Sequence, residues 1–96
     1  MSDAELHALE GDFTIHTAAE RYEQLGAALT RGCAAFDLSG IGDFDSAGLQ
    51  LLLAARRTLA ARGQTPVWSN PSSAVRSLLA LYRLGTDLNP KESANV

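Results

Sequence analysis

The chain has 96 residues, of which 46% are hydrophobic and 20% charged, and its formal net charge is −3 at pH 7. This length suits one domain with a modest core, and the acidic balance disfavours binding to a phosphate backbone, so no nucleic-acid partner is expected. No apolar run approaches the roughly 20 residues that cross a bilayer, and the acidic N-terminus does not resemble a signal peptide. We therefore expect one cytoplasmic domain over residues 1–96, with a core over about 6–88, a flexible tail over 89–96 and no membrane insertion.

Two short strands and a helix are predicted over the first third of the chain. Apolar and polar residues mostly alternate over 5–10, which favours a half-buried strand, and residues 11–12 indicate a turn or a bulge. The β-formers at 13–15 predict a second strand. A Thr-x-x-Glu capping box then opens a helix that runs from Thr17 to about Arg31. The apolar face expected for this helix consists of Tyr22, Leu25, Ala28 and Leu29.

The middle of the chain carries a strand, a loop and the strongest helical pattern. Residues 34–39 predict a third strand, and the glycine- and aspartate-rich residues 40–45 predict a loop. From Ser46 onwards, leucines recur at helical spacing up to a stop near Gly63. Residues 65–68 predict a fourth strand, with its proline at the start or on an edge.

The last part of the chain predicts a third helix and completes the fold class. Residues 70–73 read Asn-Pro-Ser-Ser, a helix-entry signature, Gly85 is the expected stop, and residues 86–88 suit a short edge strand. The expected apolar face of this helix consists of Val75, Leu78, Leu79 and Tyr82. The order β-β-α-β-α-β-α predicts an α/β domain, in which about three main helices pack on a mixed, mostly parallel sheet of four to five strands. Right-handed crossovers place the loop after the third strand at the carboxyl end of the sheet, where sites form in open α/β folds.

Ser46 stands between this loop and the long helix, and its position supports two interpretations. As a helix N-cap, its hydroxyl would accept a hydrogen bond from a free backbone N–H. As an exposed hydroxyl on a rigid element, it would be a site for phosphorylation, which adds about −1.5 to −2 charges. Asp43 and Asp45 already make the region acidic, so a phosphate would change how this surface meets a partner.

The residues around Ser46 resemble the motif of the STAS domain family. Asp-Leu-Ser at 37–39, followed by Asp-Ser-Ala-Gly-Leu at 45–49 opening a leucine-rich helix, is similar to bacterial anti-sigma factor antagonists and to the STAS domains of sulfate transporters. The similarity covers roughly residues 6–88 and includes Gly-Asp-Phe-Thr at 11–14. It implies a STAS-like fold and a non-catalytic module that works by binding, without a cofactor.

For individual residues, the resemblance implies roles centred on Ser46. In anti-sigma factor antagonists the serine of this motif is phosphorylated by a partner that is both serine kinase and anti-sigma factor, and the unphosphorylated form binds that partner. Ser46 is therefore the predicted phosphorylation site. The predicted partner-binding residues are Thr14, Asp43, Asp45, Ser46, Ala47, Gly48 and Leu49.

Two features keep other STAS partners open. Thr14 stands where the family often has an acidic residue in the early strand, and Asp12 lies on the same side of an ideal strand as Thr14. This departure also fits STAS proteins of chemotaxis-type systems, whose partner is a histidine kinase. Residues 79–84 and 87–90 resemble instead the STAS subunit of phospholipid-transport ABC complexes, which binds the ATPase subunit. The alternative for the third helix is that its apolar face simply packs inward.

Other chemistry is weakly represented in the sequence. His7 and His16 are the two histidines, and neither has a partner at metal-ligand or catalytic spacing, so no metal site and no catalytic residue is predicted. Cys33 is the single cysteine and is expected to be a packing thiol. The arginines of the long helix predict a solvated face, and Trp68 a core or sheet-edge position. An enzyme is therefore the least favoured class, while a weak homodimer stays open.

Overall fold

The computed structural model describes residues 6–82, which form five strands and three helices. In chain order the elements are β1 (Leu6–Ala8), β2 (Gly11–Phe13), α1 (Ala18–Thr30), β3 (Ala35–Asp37), β4 (Ile41–Phe44), α2 (Ser46–Ala61), β5 (Val67–Ser69) and α3 (Ser73–Tyr82). The predicted α/β class with three helices and four to five strands is confirmed, although one of the five strands, β4, lies where the sequence predicts a loop. The predictions for Gly85, for residues 86–88 and for the tail at 89–96 lie outside the described residues.

The strands form two parallel sheets instead of the single sheet that the sequence predicts. One has the order β1-β3-β5, and the other pairs β2 with β4. Two further hydrogen bonds join the segment between β1 and β2 to the segment between β3 and β4. The Leu9 N–H donates to the Asp37 carbonyl (3.0 Å), and the Gly11 N–H donates to the Gly40 carbonyl (3.0 Å). The segment 6–13 therefore runs beside the segment 35–44, and both arrive at the same edge of the fold.

Two strand predictions are wrong near this edge. Residues 41–44 form strand β4 and not a loop, because pairing with β2 recruits a segment whose glycine and aspartate are poor β-formers by themselves. Strand β2 ends at Phe13 and does not extend to residue 15. The chain turns instead, and the carbonyl of Thr14 accepts a hydrogen bond from the Thr17 N–H (3.0 Å).

The helices α1 and α2 begin and end close to the predicted residues. The Thr17 hydroxyl, however, makes no capping bond to α1, so the predicted capping box does not form. This hydroxyl instead donates to the Asp12 carbonyl (2.7 Å) and accepts from the Thr14 N–H (3.0 Å), so its hydrogen bonds are made to the turn before the helix. Gly32 and Gly63 follow the two helices with φ of +92° and +74°, the left-handed conformation in which helices commonly end at glycine.

One hydrophobic core joins the helices to the strands. Its buried members are Leu9, Phe13, Leu25, Ala28, Leu29, Phe36, Leu38, Ile41, Leu49, Leu52, Ala55, Leu59, Trp68, Val75 and Leu79. The Phe36 ring stacks on Trp68 at 5.3 Å between centroids, which confirms a core position for the tryptophan. Tyr22 and Tyr82 are instead 64% and 47% exposed, since the helix face that packs inward is narrower than the apolar stripe in the sequence. None of the helices within residues 6–82 has the length and apolar character needed to cross a membrane.

Candidate functional site

Ser46 is the first residue of α2, and the residue before it caps the helix. One oxygen of the Asp45 carboxylate accepts hydrogen bonds from the N–H groups of Ala47 (2.9 Å) and Gly48 (3.2 Å). The other oxygen accepts from the Ile15 N–H (3.1 Å), in the turn that follows β2. The interpretation of Ser46 as the N-cap is therefore wrong. The neighbouring Asp45 carboxylate accepts the hydrogen bonds of the free N–H groups at the start of α2, and it also binds the turn that follows β2. The exposed Ser46 side chain lies outside the capping arrangement.

Hydrogen bonding holds the pKa of Asp45 below its ordinary value. The bond from the Ile15 N–H is the largest cause, and the bonds from the Gly48 and Ala47 N–H groups act in the same direction. The positive charge that His16 can carry lowers this pKa as well, whereas desolvation works against the shift. Asp45 is therefore ionised at neutral pH, and a fixed negative charge stands at the start of α2.

The first turn of α2 rests directly on the end of β2. The Asp45 N–H donates to the Phe13 carbonyl (3.3 Å). A Cβ at Gly48 would overlap that carbonyl oxygen and would lie 2.9 Å from the Phe13 Cβ, so the close approach depends on glycine. Gly48 and Leu49 are both buried at this contact. Of the predicted partner-binding residues, these two therefore pack inside the protein, while Thr14, Asp43, Asp45, Ser46 and Ala47 retain exposed surface.

Three of the predicted partner-binding residues line one open groove beside α3. Thr14, Asp43 and Asp45 share a cavity of about 400 Å³ with α3. The other residues that line it are Phe44, Ala74, Ser77, Leu78 and Leu81. Leu81 is 70% exposed, so the groove offers an apolar wall as well as carboxylates. This α3 wall is missing from the predicted site, although its residues recur at the three- and four-residue spacing of one helix face.

Asp12 lies beside this acidic edge but does not share a strand face with Thr14. Its carboxylate accepts a hydrogen bond from the Asp43 N–H (2.9 Å), across the β2–β4 pair. Thr14 lies past the end of β2, where its hydroxyl accepts from the His16 N–H (3.2 Å). The turn fixed in this way presents Ile15, whose side chain is 67% exposed. The expectation that Asp12 and Thr14 project from one strand is therefore wrong.

The remaining reactive groups of residues 6–82 are dispersed. His7 meets the Phe36 ring edge-on at 6.1 Å in the sheet, whereas His16 belongs to the turn before α1. Within the same residues, no three His, Cys, Asp or Glu side chains are grouped so that they could hold a metal ion. Cys33 is partly buried against the core. The surface around the start of α2 is therefore the candidate functional site.

Comparisons with known proteins bear on the family and on the fold of this chain. The family model described as "Mlab, STAS domain" matches residues 3–90. A solved structure described as "Structure of the Anti-Sigma Factor Antagonist SpoIIAA in its Unphosphorylated Form" is similar with a TM-score of 0.61 and 21% sequence identity, over 100% of this chain and 86% of that chain. Likeness at this identity is likeness of fold. No curated protein sequence matches the chain significantly.

Proposed function

The chain belongs to the STAS domain family, and we propose that it is a regulatory module that binds a protein partner and catalyses no reaction. Its structural relative is described as an anti-sigma factor antagonist in an unphosphorylated form. By analogy, this chain binds a cytoplasmic anti-sigma factor that is also a serine kinase. Binding requires unphosphorylated Ser46, and phosphorylation of Ser46 ends it.

The exposed position of Ser46 is the observation that carries this proposal. Its side chain stands at the first position of α2, on an element held to β2 by the Asp45 and Gly48 contacts. Because Asp45 supplies the helix cap, the Ser46 hydroxyl is not needed for the stability of α2. A kinase could therefore modify it without unfolding the helix.

The Asp45 carboxylate also decides what a phosphate at Ser46 would meet. A helix N-terminus ordinarily favours an anion through its free N–H groups. Here the N–H groups of Ala47 and Gly48 already donate to Asp45. The phosphate would therefore face an ionised carboxylate and remain at the surface, where its repulsion and the penalty for removing it from water oppose docking.

The groove beside α3 supplies the apolar part of the proposed docking surface. Leu81 is exposed and Leu78 partly buried on its α3 wall, whereas Asp43 and Asp45 contribute charge on the other elements. Interfaces usually combine an apolar anchor with a polar rim. We expect a partner to place an apolar side chain in this groove while its surface covers Ser46.

The test compares the wild type with Ser46→Asp and Ser46→Ala in pull-downs from the native host, with bound proteins identified by mass spectrometry. Ser73→Asp is the matched control, because Ser73 is also an exposed first residue of a helix. The proposal expects a serine kinase with the wild type, with Ser46→Ala and with Ser73→Asp, but not with Ser46→Asp. The recovered kinase should then phosphorylate the wild type at Ser46 in the presence of ATP. Equal recovery of the kinase by Ser46→Asp would refute the switch.

Two other STAS roles remain as alternatives, and one is favoured by an observation on α3. Leu81 and Tyr82 are 70% and 47% exposed, which suits docking through the end of α3, where the sequence resembles the STAS subunit of phospholipid-transport ABC complexes. Recovery of an ABC ATPase by both the wild type and Ser46→Asp would support that role. Recovery of a histidine kinase would support the chemotaxis-type adaptor, to which Thr14 points.

A further inference from the structure

An open cavity lies between α1 and α2, apart from the groove beside α3. It has a volume of about 270 Å³. Its walls include Tyr22, Glu23 and Thr30 from α1, and Leu51, Thr58 and Arg62 from α2 and its C-cap. No described residue lines both this cavity and the groove beside α3. This cavity and the proposed docking surface are therefore separate.

Two opposite charges line this cavity without pairing inside the chain. Arg62 Nη1 donates to the Leu29 carbonyl (2.8 Å), so the guanidinium lies at the C-terminal end of α1. That carbonyl is neutral and takes one of the five guanidinium N–H donors, so the positive charge is not compensated by it. Glu23 lies six residues before Leu29, which corresponds to roughly 9 Å along a helix axis. Its exposed carboxylate has no hydrogen bond or ion pair with any residue of 6–82.

A two-fold axis would bring these charges together in two copies of the chain. In a symmetric pair, the contact of one residue with a second is repeated with the roles of the copies exchanged. An axis that crosses α1 midway between Glu23 and Leu29 places the two α1 helices antiparallel. Glu23 of one copy then lies opposite Arg62 of the other, and this contact occurs twice. The surface is therefore complementary in charge to itself.

Tyr22 supplies an aromatic side chain for the same contact. It is 64% exposed at the wall of the cavity. The axis brings it opposite Thr30 of the other copy, because Tyr22 and Thr30 are equally far from the axis along α1. Tyrosine is enriched at protein interfaces, where its ring loses exposed apolar area and its hydroxyl keeps a hydrogen bond.

The face formed by α1 and α2 suits a weak dimer. The helices have 13 and 16 residues, which corresponds to lengths of roughly 20 and 24 Å, and two helices side by side are roughly 20 Å wide. The covered face is therefore about 400 Å² per copy, compared with about 800 Å² per partner in a standard stable interface. We propose that this face binds a second copy of the chain, through two Glu23–Arg62 pairs and the Tyr22 rings. The dimer is independent of the proposed Ser46 switch, so either can fail without the other.

The test exchanges the charges and measures association of the full chain by sedimentation velocity, from micromolar to millimolar concentration. The wild type should shift from the mass of one chain towards that of two as its concentration rises. Glu23→Arg and Arg62→Glu should each weaken the dimer about tenfold or more, because both contacts change from attraction to repulsion. An equimolar mixture of these two variants should dimerise again, because each contact in the mixed pair joins opposite charges.

Two further variants separate the interface from effects of net charge and of folding. Glu10→Arg is the matched control, since Glu10 is exposed and does not line the cavity, and it should dimerise as the wild type does. Tyr22→Ala should weaken the dimer while it keeps the bond from Arg62 to Leu29, so it decides the question if Arg62→Glu does not fold. A wild type that stays monomeric at millimolar concentration, or a mixture of folded charge variants that associates no better than its components, would overturn the proposal and leave this face to a different partner.

Discussion

Replacing Gly48 with alanine should destabilise the fold, although alanine is the better helix former. Gly48 lies in the first turn of α2, where the helix meets the end of β2. Its own N–H donates to Asp45, so a displacement of this turn also disturbs the cap. The substitution therefore tests whether the start of α2 is seated on Phe13 as described.

The size of the effect follows from the contacts that a Cβ would make. At Gly48 the Cβ would overlap the Phe13 carbonyl oxygen and would lie 2.9 Å from the Phe13 Cβ, whereas ordinary contact begins at 3.4 Å. Overpacking of this kind typically costs about 1–3 kcal/mol, and an overlap with backbone belongs at the upper end. The gain in helix propensity offsets about 0.5–1 kcal/mol of this. We expect a loss of about 2 kcal/mol, which lowers Tm by roughly 8–16 °C in a domain of this size.

Gly26→Ala is the matched control for this substitution. Gly26 is also helical, but a Cβ at this position would meet no atom within 4 Å. It should gain the same helix propensity without overpacking, so stability should rise by about 0.5–1 kcal/mol. Urea unfolding followed by circular dichroism and by Trp68 fluorescence measures both variants. If Gly48→Ala is as stable as the wild type, α2 does not rest on β2 in the way described.

Three further outcomes are expected. Because the pKa of Asp45 is lowered in the folded state, its stabilising effect is fully present above its ordinary value of 3.8 and is lost as pH falls through the lower folded pKa. Urea midpoints measured from pH 7 down to pH 3 should therefore fall more in the wild type than in Asp45→Asn, and identical pH profiles would contradict this reasoning. Leu79→Ala should lose about 2–5 kcal/mol in urea unfolding, because Leu79 is buried in the core, whereas Leu81→Ala should change stability by less than about 0.5 kcal/mol. Leu81→Glu should fold as stably as the wild type and yet weaken binding of the partner in a pull-down, and unchanged binding would remove the α3 groove from the docking surface.

The sequence predicts most elements of this fold but misses the strand that completes the site. The helices and the strands β1, β3 and β5 follow from local periodicity, and the structure has them within a few residues of the predicted bounds. Strand β4 has no such pattern, and it forms because it pairs with β2, about thirty residues earlier in the chain. The bond from the Asp43 N–H to the Asp12 carboxylate spans 31 positions and belongs to the same pairing. Contacts at this separation leave no periodic signal in one sequence.

The choice of helix cap shows the same limit at the scale of one residue. Asp45 and Ser46 are both residue types that cap helices well, so local preference does not decide between them. In the structure Asp45 caps the helix, and its carboxylate also accepts a bond from the Ile15 N–H, across 30 positions. This contact depends on the turn after Phe13, where the sequence predicts a strand instead. The mistaken cap and the mistaken strand therefore meet at one hydrogen bond, from the Ile15 N–H to the Asp45 carboxylate.

The sequence by itself determined the α/β class, the three helices and the STAS motif, because hydrophobic periodicity and a short motif are local properties of the chain. Only the tertiary structure decided that Asp45 caps α2 and leaves Ser46 exposed, that Gly48 and Leu49 are buried, and that α3 forms a wall of the groove beside Asp43. It also decided that Trp68 lies in the core with an unpaired N–H. These features depend on contacts between groups that are far apart in the sequence, and the packing of the whole domain determines which of those contacts form.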